Sequence, residues 1–272
     1  SVGATPARRH EYRPSTRGAG VRIVGAMDPT EHRAAIAAEG GRVAALPADA
    51  LDRPVAACPG WDVARLVGHL GRVHRWAASF LADPASGGDG GNRPPRDGGV
   101  LPWYAESLGL LLDELDRHDP DEPAVTFAGP GTAGFWFRRQ AHETAVHRWD
   151  AEAAVDPATA APIDAPLAAD GIDEWLGFFV PRFVVDVGDG VPSDLVGATL
   201  HVHCTDTEGE WLLRLTDGGI EVERIHAKGD AALRGPASDV LLAAWHRLPL
   251  EAIDVVGDRD RAVAVLDLVH VR

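Results

Sequence analysis

Apolar side chains recur at helical spacing through the first two thirds of the chain. Between residues 62 and 82, Val63, Leu66 and Leu70 share one helical face, and Asp62 stands where a helix cap is expected. The spacing therefore predicts a helix over roughly 62–82. The same period predicts four further helices, at 29–47, 102–118, 132–154 and 165–184.

The period changes from helical to alternating in the last third of the chain. Apolar and polar residues alternate over 199–204, which predicts a strand with one buried face. The extended segments 211–216 and 220–225 flank an Asp-Gly-Gly turn, and this pattern predicts a hairpin. A helix, a short strand and a final helix are predicted at 236–247, 252–256 and 258–270.

This order of elements predicts an α plus α+β protein, with a helical bundle followed by a small α/β domain. We expect the bundle to cover 27–190 and the second domain to cover 191–272, because the pattern changes near 185–195. Residues 83–101 are rich in glycine and proline, which predicts a flexible loop between the second and third helices.

The first 26 residues differ in charge from the rest of the chain. They carry a net charge of +4, and Met27, the only methionine, follows them. We expect Met27 to be the natural start and residues 1–26 to be a disordered upstream extension. No apolar segment follows Arg8 and Arg9, so an export signal is not expected. The first predicted helix begins soon after, with Thr30 as its expected cap.

Composition and charge limit the classes of partner. The chain has 272 residues, of which 45% are apolar, so it can form a full core. Its net charge of −15 argues against nucleic acid or an anionic membrane as partner, and no stretch is long enough to span a bilayer. Cys58 and Cys204, the only cysteines, are expected to be reduced thiols in a cytoplasmic protein.

Three residues on two of the predicted helices have the chemistry of a metal site. Glu143 and His147 are four residues apart, which places them within ~40° of each other on one helix face. His69 lies in the apolar stripe of its own helix, where a buried imidazole needs a polar partner. Two imidazoles and one carboxylate, brought together in a bundle, would hold a divalent metal and leave one position open.

Simpler interpretations of these three residues stay open at this point. A histidine on an apolar face is often a hydrogen-bonded core residue, and a Glu and a His at helical spacing often form an exposed ion pair. The segment HETAVH resembles a zincin motif, but His142 and His147 are five residues apart, whereas that motif spaces its histidines by four. A zincin-type protease is therefore not expected.

Two polar residues on the same helices have weaker patterns. His74 lies about 140° round the helix from His69, so we expect it behind the ligands or on the surface. Asp150 is seven residues after Glu143 and returns to nearly the same helix face. It could orient a ligand or bind an arginine, and it could equally be solvated.

Further candidates outside this group favour structural roles. Cys58 precedes a helix start, which would lower the pKa of its thiol, but the Pro-Gly pair after it favours a packed turn. His201 and His203 share one face of the predicted strand, and without an evident third metal ligand we expect a solvent-facing pair. Arg138 and Arg139 are expected to pair with local acids.

The two helical segments that hold the candidate ligands also carry a family resemblance. The chain resembles the mycothiol-dependent maleylpyruvate isomerase family in CPGWDVARLVGHLGRVHRW and RRQAHETAVHRWDAEAA. It is similar to the second domain of that family in GEWLLRLTDGGIEVERIHAKGDAALRGPASDVLLAAWHR. The resemblance covers roughly 30–270. It implies a DinB-like four-helix bundle followed by a small α/β sandwich domain related to sterol-carrier folds.

The resemblance implies a zinc ion bound by His69, Glu143 and His147, with the thiol of mycothiol at the open position. It also implies a substrate-binding arginine from the second domain, for which Arg247 is the best match and Arg234 the reserve. Coordination would deprotonate the thiol, and the thiolate would attack a small electrophile. Addition to a conjugated alkene, rotation and elimination would give isomerisation, whereas loss of a leaving group would give S-transfer.

Two other classes of function stay open from the sequence. The bundle could be a non-catalytic metal-binding or regulatory module, which a closed four-ligand site would favour. It could also be a metal-dependent hydrolase, which would need a general base near the metal. The ligand types suit zinc, and nickel, iron and manganese are alternatives.

Overall fold

A computed structural model describes residues 27–83 and 93–269 of the chain. The expected extension over 1–26 and most of the glycine-rich part of the expected loop lie outside the described residues. Within them, the N-terminal part is a bundle of four helices: α1 (Pro29–Ala44), α2 (Val63–Ala82), α3 (Val100–Leu115) and α4 (Gly134–Val155). None of the described helices is both long and apolar enough to cross a membrane.

Side-chain caps set where the first two helices begin. Asp62 caps α2 as predicted. The prediction that Thr30 caps the first helix is wrong, because Asp28 is the cap and Pro29 is already helical. Asp28 accepts a hydrogen bond from the backbone N–H of Glu31 at 2.9 Å, and the Glu31 carboxylate accepts one from Asp28 at 2.7 Å. This reciprocal capping box places the first turn two residues earlier than expected.

Two segments of the helical part differ from the predicted pattern. A short antiparallel hairpin, β1 (Pro123–Thr126) and β2 (Gly129–Thr132), precedes α4. Its prolines and glycines leave no alternation of apolar residues, so the pattern did not predict it. The fifth predicted helix begins as α5 (Ala165–Glu174) and continues as two π-helical turns, Trp175–Phe179 and Arg182–Asp186.

The C-terminal part is a five-stranded sheet with two short helices. Its strands run in the order β5-β4-β3-β6-β7, and only the pair of β3 and β6 is parallel. The strands are β3 (Thr199–Cys204), β4 (Glu210–Thr216), β5 (Gly219–Glu223), β6 (Ala231–Gly235) and β7 (Asp254–Gly257), and the helices are α6 (Ala237–Ala244) and α7 (Arg259–Leu266). The predicted order of a helical bundle followed by a small α/β domain is confirmed, although β6 was not predicted.

Helix α6 joins the two parts into one hydrophobic core. It packs on β3 and β6 on one side and against α5 on the other. Leu200, Val202 and Cys204 of β3 face this core and are buried. The same core extends to Trp136 and Trp175 in the helical part, both almost fully buried. The second domain is therefore held against the bundle by shared apolar packing.

A cluster of buried charges joins α1, α4 and α5. Asp170 on α5 lies 2.8 Å from His32 Nε2 on α1 and 3.0 Å from His142 Nε2 on α4. Arg138 donates to the same carboxylate at 2.9 Å. Glu174, one turn further along α5, lies 2.9 Å from His142 Nδ1. Buried carboxylates stay ionised only when such partners offset the loss of hydration, so this cluster fixes how the three helices meet.

Glu174 makes the stability of this cluster depend on pH. Burial alone would raise the pKa of Glu174, but the charges of Arg139 and His142 outweigh it and lower the pKa from 4.5 to about 2. A depressed folded-state pKa means that the carboxylate stabilises the fold above pH 4.5 and loses this effect as pH falls towards 2. We expect Glu174→Gln to reduce the loss in the free energy of unfolding between pH 4.5 and 2, measured by urea unfolding across that pH range.

The same variant should lower the free energy of unfolding at pH 7 by roughly 3 kcal/mol, because it removes one partner of a buried ion pair. Glu106→Gln is the matched control, since Glu106 is exposed to solvent where it pairs with Arg75. We expect it to change stability by less than about 1 kcal/mol. If the free energy of unfolding falls equally with pH in wild type and in Glu174→Gln, the assigned role of Glu174 is wrong.

Candidate metal centre

Helices α2 and α4 bring His69, Glu143 and His147 together. His69 Nε2 and His147 Nε2 each lie 3.3 Å from Glu143 Oε1. The two imidazole rings are 5.3 Å apart between centroids and nearly perpendicular. Atoms that share a tetrahedral zinc ion at about 2.0–2.1 Å are roughly 3.3 Å apart. Both Glu143–His distances therefore match a shared divalent ion, and one ligand atom from each of the three residues lies within 4.8 Å of the others.

The backbone around His69 explains how α2 reaches this position. The Asp62 carboxylate accepts a hydrogen bond from the N–H of Arg65 at 2.7 Å and starts the helix seven residues before His69. Gly71 lies on the side that faces α3, where an added Cβ would be 2.5 Å from the Trp103 ring. The missing side chain at Gly71 lets α3 pack closely against α2.

The three candidate ligands are open to solvent on one side. The side chains of His69, Glu143 and His147 are 34%, 21% and 11% exposed. The Trp61 ring lies 5.0 Å from the His69 ring between centroids and forms part of the rim. A small ligand can therefore approach the group from outside, as an open coordination position requires.

Glu143 is held as a carboxylate by several partners. Its Oε2 accepts a hydrogen bond from Arg139 at 2.8 Å, while Oε1 faces the two histidines. Burial alone would raise the pKa of Glu143, but His147, His69 and Arg139 together hold it well below its usual value. Burial would lower the pKa of His147, yet the charge of Glu143 and the hydrogen bond to Asp150 raise it to about 9.

Asp150 connects the candidate ligands to the second domain. Its Oδ2 accepts a hydrogen bond from His147 Nδ1 at 2.9 Å, and its side chain is fully buried. Arg247, from the second domain, donates to both Asp150 oxygens at 3.2 Å. Because a carboxylate can only accept, His147 Nδ1 carries a proton that it donates to Asp150. The raised pKa keeps a second proton on Nε2, which faces Glu143, and a bound metal would take the place of that proton.

A helix end places Arg247 against the bundle. After α6, His246 adopts a left-handed conformation with φ of 58°. The N–H of Arg247 then donates to Leu242 O at 2.7 Å and that of His246 to Ala243 O at 3.0 Å. These are the two bonds of a Schellman motif, which turns the chain sharply at the end of a helix. The Arg247 guanidinium also donates to Trp245 O at 2.8 Å, which fixes its direction.

The other two predicted site residues lie elsewhere. Arg234 is exposed on β6 and forms an ion pair with Asp254 at 3.4 Å. His74 is fully buried, and its ring nitrogens contact Gln140 at 2.9 Å and Tyr104 at 3.4 Å instead of the candidate ligands. Burial lowers the pKa of His74 to about 4, so its ring is neutral at pH 7.

Two residues at the site were not assigned to it from the sequence. Cys58 lies beside His147 and Asp150, with one polar atom of each within 4.8 Å of the others. Burial, and then the charge of Asp150, raise the pKa of Cys58 to about 11, so it is a neutral thiol. Arg139, expected only to pair with local acids, pairs with the candidate ligand Glu143. Its position four residues before Glu143 on the same helix could have predicted this ion pair.

Comparison with known proteins agrees with this architecture. The family model described as mycothiol maleylpyruvate isomerase N-terminal domain matches residues 32–152, and the model described as MDMPI C-terminal domain matches residues 166–264. No curated protein sequence matches the chain significantly.

Two solved structures share the fold over 85% of this chain and 93% of theirs. One is the crystal structure of the mycothiol-dependent maleylpyruvate isomerase, at 12% identity and a TM-score of 0.55. The other is a histidine-to-alanine mutant of the mycothiol-dependent maleylpyruvate isomerase, at 11% identity and a TM-score of 0.54. With two consecutive family domains over most of its length, the chain belongs to the mycothiol-dependent maleylpyruvate isomerase family.

Proposed function

We propose that this protein is a mycothiol-dependent isomerase that holds a divalent metal, zinc, with His69, Glu143 and His147. The observation that carries the proposal is the meeting of these three ligand atoms beside Arg247 of the second domain. A bound metal would keep the thiol of mycothiol deprotonated near neutral pH and so supply a nucleophile for an electrophilic carbon. The family name supports mycothiol as the thiol.

Arg139 and Asp150 orient two of the proposed metal ligands. Arg139 binds one oxygen of Glu143 and leaves the other facing the two histidines. Asp150 holds one proton of His147 on Nδ1, so Nε2 is the nitrogen that would bind the metal in exchange for its own proton. Contacts of this kind orient metal ligands and increase their basicity.

Arg247 is proposed to bind the electrophilic substrate. A guanidinium has five N–H donors. Among the described residues, Asp150 accepts from two of them and the Trp245 carbonyl from a third. The remaining donors suit a carboxylate of a small unsaturated acid. The substrate double bond becomes single while sulfur is attached, rotates, and forms again when sulfur leaves, so no atom is gained or lost.

Two features favour a thiol-dependent enzyme over a non-catalytic metal module and over a hydrolase. The candidate ligands are open on one side and lie next to an arginine, whereas a structural metal site is closed by four protein ligands. A hydrolase would need a general base beside the metal. Asp150 is engaged by His147 and Arg247, and Cys58 is a neutral thiol, so neither is suited to that role. S-transfer shares the first step and differs only in what leaves.

His147→Ala should remove the bundle metal. We expect zinc affinity at this site to fall more than tenfold, because two ligands remain where three held the ion. Zinc content and mycothiol binding can be measured on untagged protein by mass spectrometry and titration calorimetry. His118→Ala is the matched control, since His118 also contacts two carboxylates but lies in the turn after α3. Undiminished zinc and thiol binding in His147→Ala would exclude the proposed site.

Arg247→Lys should weaken substrate binding without loss of metal. Lysine keeps the charge but cannot form a bidentate pair, so we expect KM for maleylpyruvate to rise about tenfold, equivalent to ~1.4 kcal/mol. Arg234→Lys is the paired control and should keep the wild-type KM. Steady-state kinetics with mycothiol and zinc measures both. A raised KM in Arg234→Lys alone would move the substrate-binding role to Arg234, and a product that keeps the sulfur would indicate S-transfer.

A further inference from the structure

The outer face of the sheet in the second domain carries another group of metal-ligand side chains. His201 and His203 lie two residues apart on β3, and Glu210 on β4 is directly opposite His203. His226, in the segment between β5 and β6, folds over the same face and meets the other three. The expectation of a solvent-facing histidine pair is therefore wrong. Strand pairing and chain reversal supply two further ligands that sequence spacing did not reveal.

Glu210 lies at the centre of this group. Its Oε1 is 2.8 Å from His203 Nδ1, and its Oε2 is 2.5 Å from His226 Nδ1 and 3.6 Å from His201 Nε2. One ligand atom from each of the four residues lies within 4.8 Å of all the others. Two imidazoles from β3 and one from the connecting segment thus converge on the single carboxylate from β4.

One atom in this group has no hydrogen-bond partner. His201 is only 7% exposed, and its Nε2 is buried without a hydrogen bond to any described residue. Leaving such a group unsatisfied costs about 1–3 kcal/mol. Glu210 is too far away to satisfy it, since its two oxygens are drawn towards His203 and His226. A cavity of about 240 Å³ adjoins His201 and His226.

We propose that His201, His203, Glu210 and His226 form a second divalent-metal site, for an ion of the zinc, nickel or cobalt class. Three imidazole nitrogens and one carboxylate are ligands that these ions accept. Tetrahedral coordination requires ligand atoms roughly 3.3 Å apart, so the longest separations would shorten by at most about 1.5 Å and the two short contacts to Glu210 would lengthen. His226 is 79% exposed and lies outside the strands, so its side chain is able to make this adjustment.

The second site would have a structural role. Four protein side chains complete a tetrahedral sphere, so no position stays open for chemistry. The ion would attach the connecting segment at His226 to β3 and β4. That segment follows Arg224, whose guanidinium contacts Asp173 on α5 at 2.8 Å. The site would therefore strengthen the part of the second domain that contacts the bundle.

The test separates the two sites by variants in each. His69→Ala/His147→Ala removes the bundle ligands and should still bind one zinc ion per chain. Adding His203→Ala and His226→Ala should reduce the affinity for that ion at least tenfold. Wild type should bind two ions, and His118→Ala should match it. Untagged, metal-free protein is titrated with zinc chloride by calorimetry. Thermal unfolding of each metal-free variant confirms that it is folded.

Each outcome decides the proposal. One ion in His69→Ala/His147→Ala that disappears with His203→Ala and His226→Ala supports the second site. Failure of the folded His69→Ala/His147→Ala variant to bind zinc overturns it, as does an ion that survives loss of both His203 and His226. If wild type binds one ion that depends on His203 but not on His147, the second site stands and the bundle metal site fails.

Discussion

The arrangement of the candidate site depends on one buried carboxylate, Asp150. A charged group taken out of water must be paired on all sides, and Asp150 is paired by His147 from its own helix and Arg247 from the second domain. If the second domain moved away, the carboxylate would lose its cationic partner and His147 its fixed direction. Asp150 therefore couples the geometry of the candidate ligands to the docking of the two domains. The same contact holds the proposed substrate-binding Arg247 in place.

A chain of charges extends this constraint through the helical part. Arg139 contacts the candidate ligand Glu143 and also pairs with Glu174, which lies beside His142 in the Asp170 cluster. Asp173 on α5, which also pairs with Arg138, accepts a hydrogen bond from Trp211 Nε1 of the sheet at 2.9 Å. Buried charges tolerate little displacement. These ion pairs and hydrogen bonds, together with apolar packing, therefore fix the positions of α4 and α5 relative to the sheet.

The two metal-ligand groups use similar side chains on different scaffolds. On α4, a spacing of four residues aligns Glu143 with His147, and a second helix adds His69. On β3, a spacing of two aligns His201 with His203, and the neighbouring strand adds Glu210. The bundle group is open and next to Arg247, whereas the sheet group has four side chains around one centre. The open side would suit the bundle group to chemistry, and the four surrounding side chains would suit the sheet group to a structural role.

The sequence by itself determined the local features: the positions of all seven described helices, the strands of the β4–β5 hairpin, the Asp62 cap, and the placement of Glu143 and His147 on one helix face. These follow from periodicity, which acts between residues a few positions apart. Only the tertiary structure decided that His69 meets that pair, that Asp150 binds Arg247 instead of water, and that Glu210 and His226 join the strand histidines. Those contacts connect residues that are distant in the chain, and helix packing, strand register and domain docking bring them together.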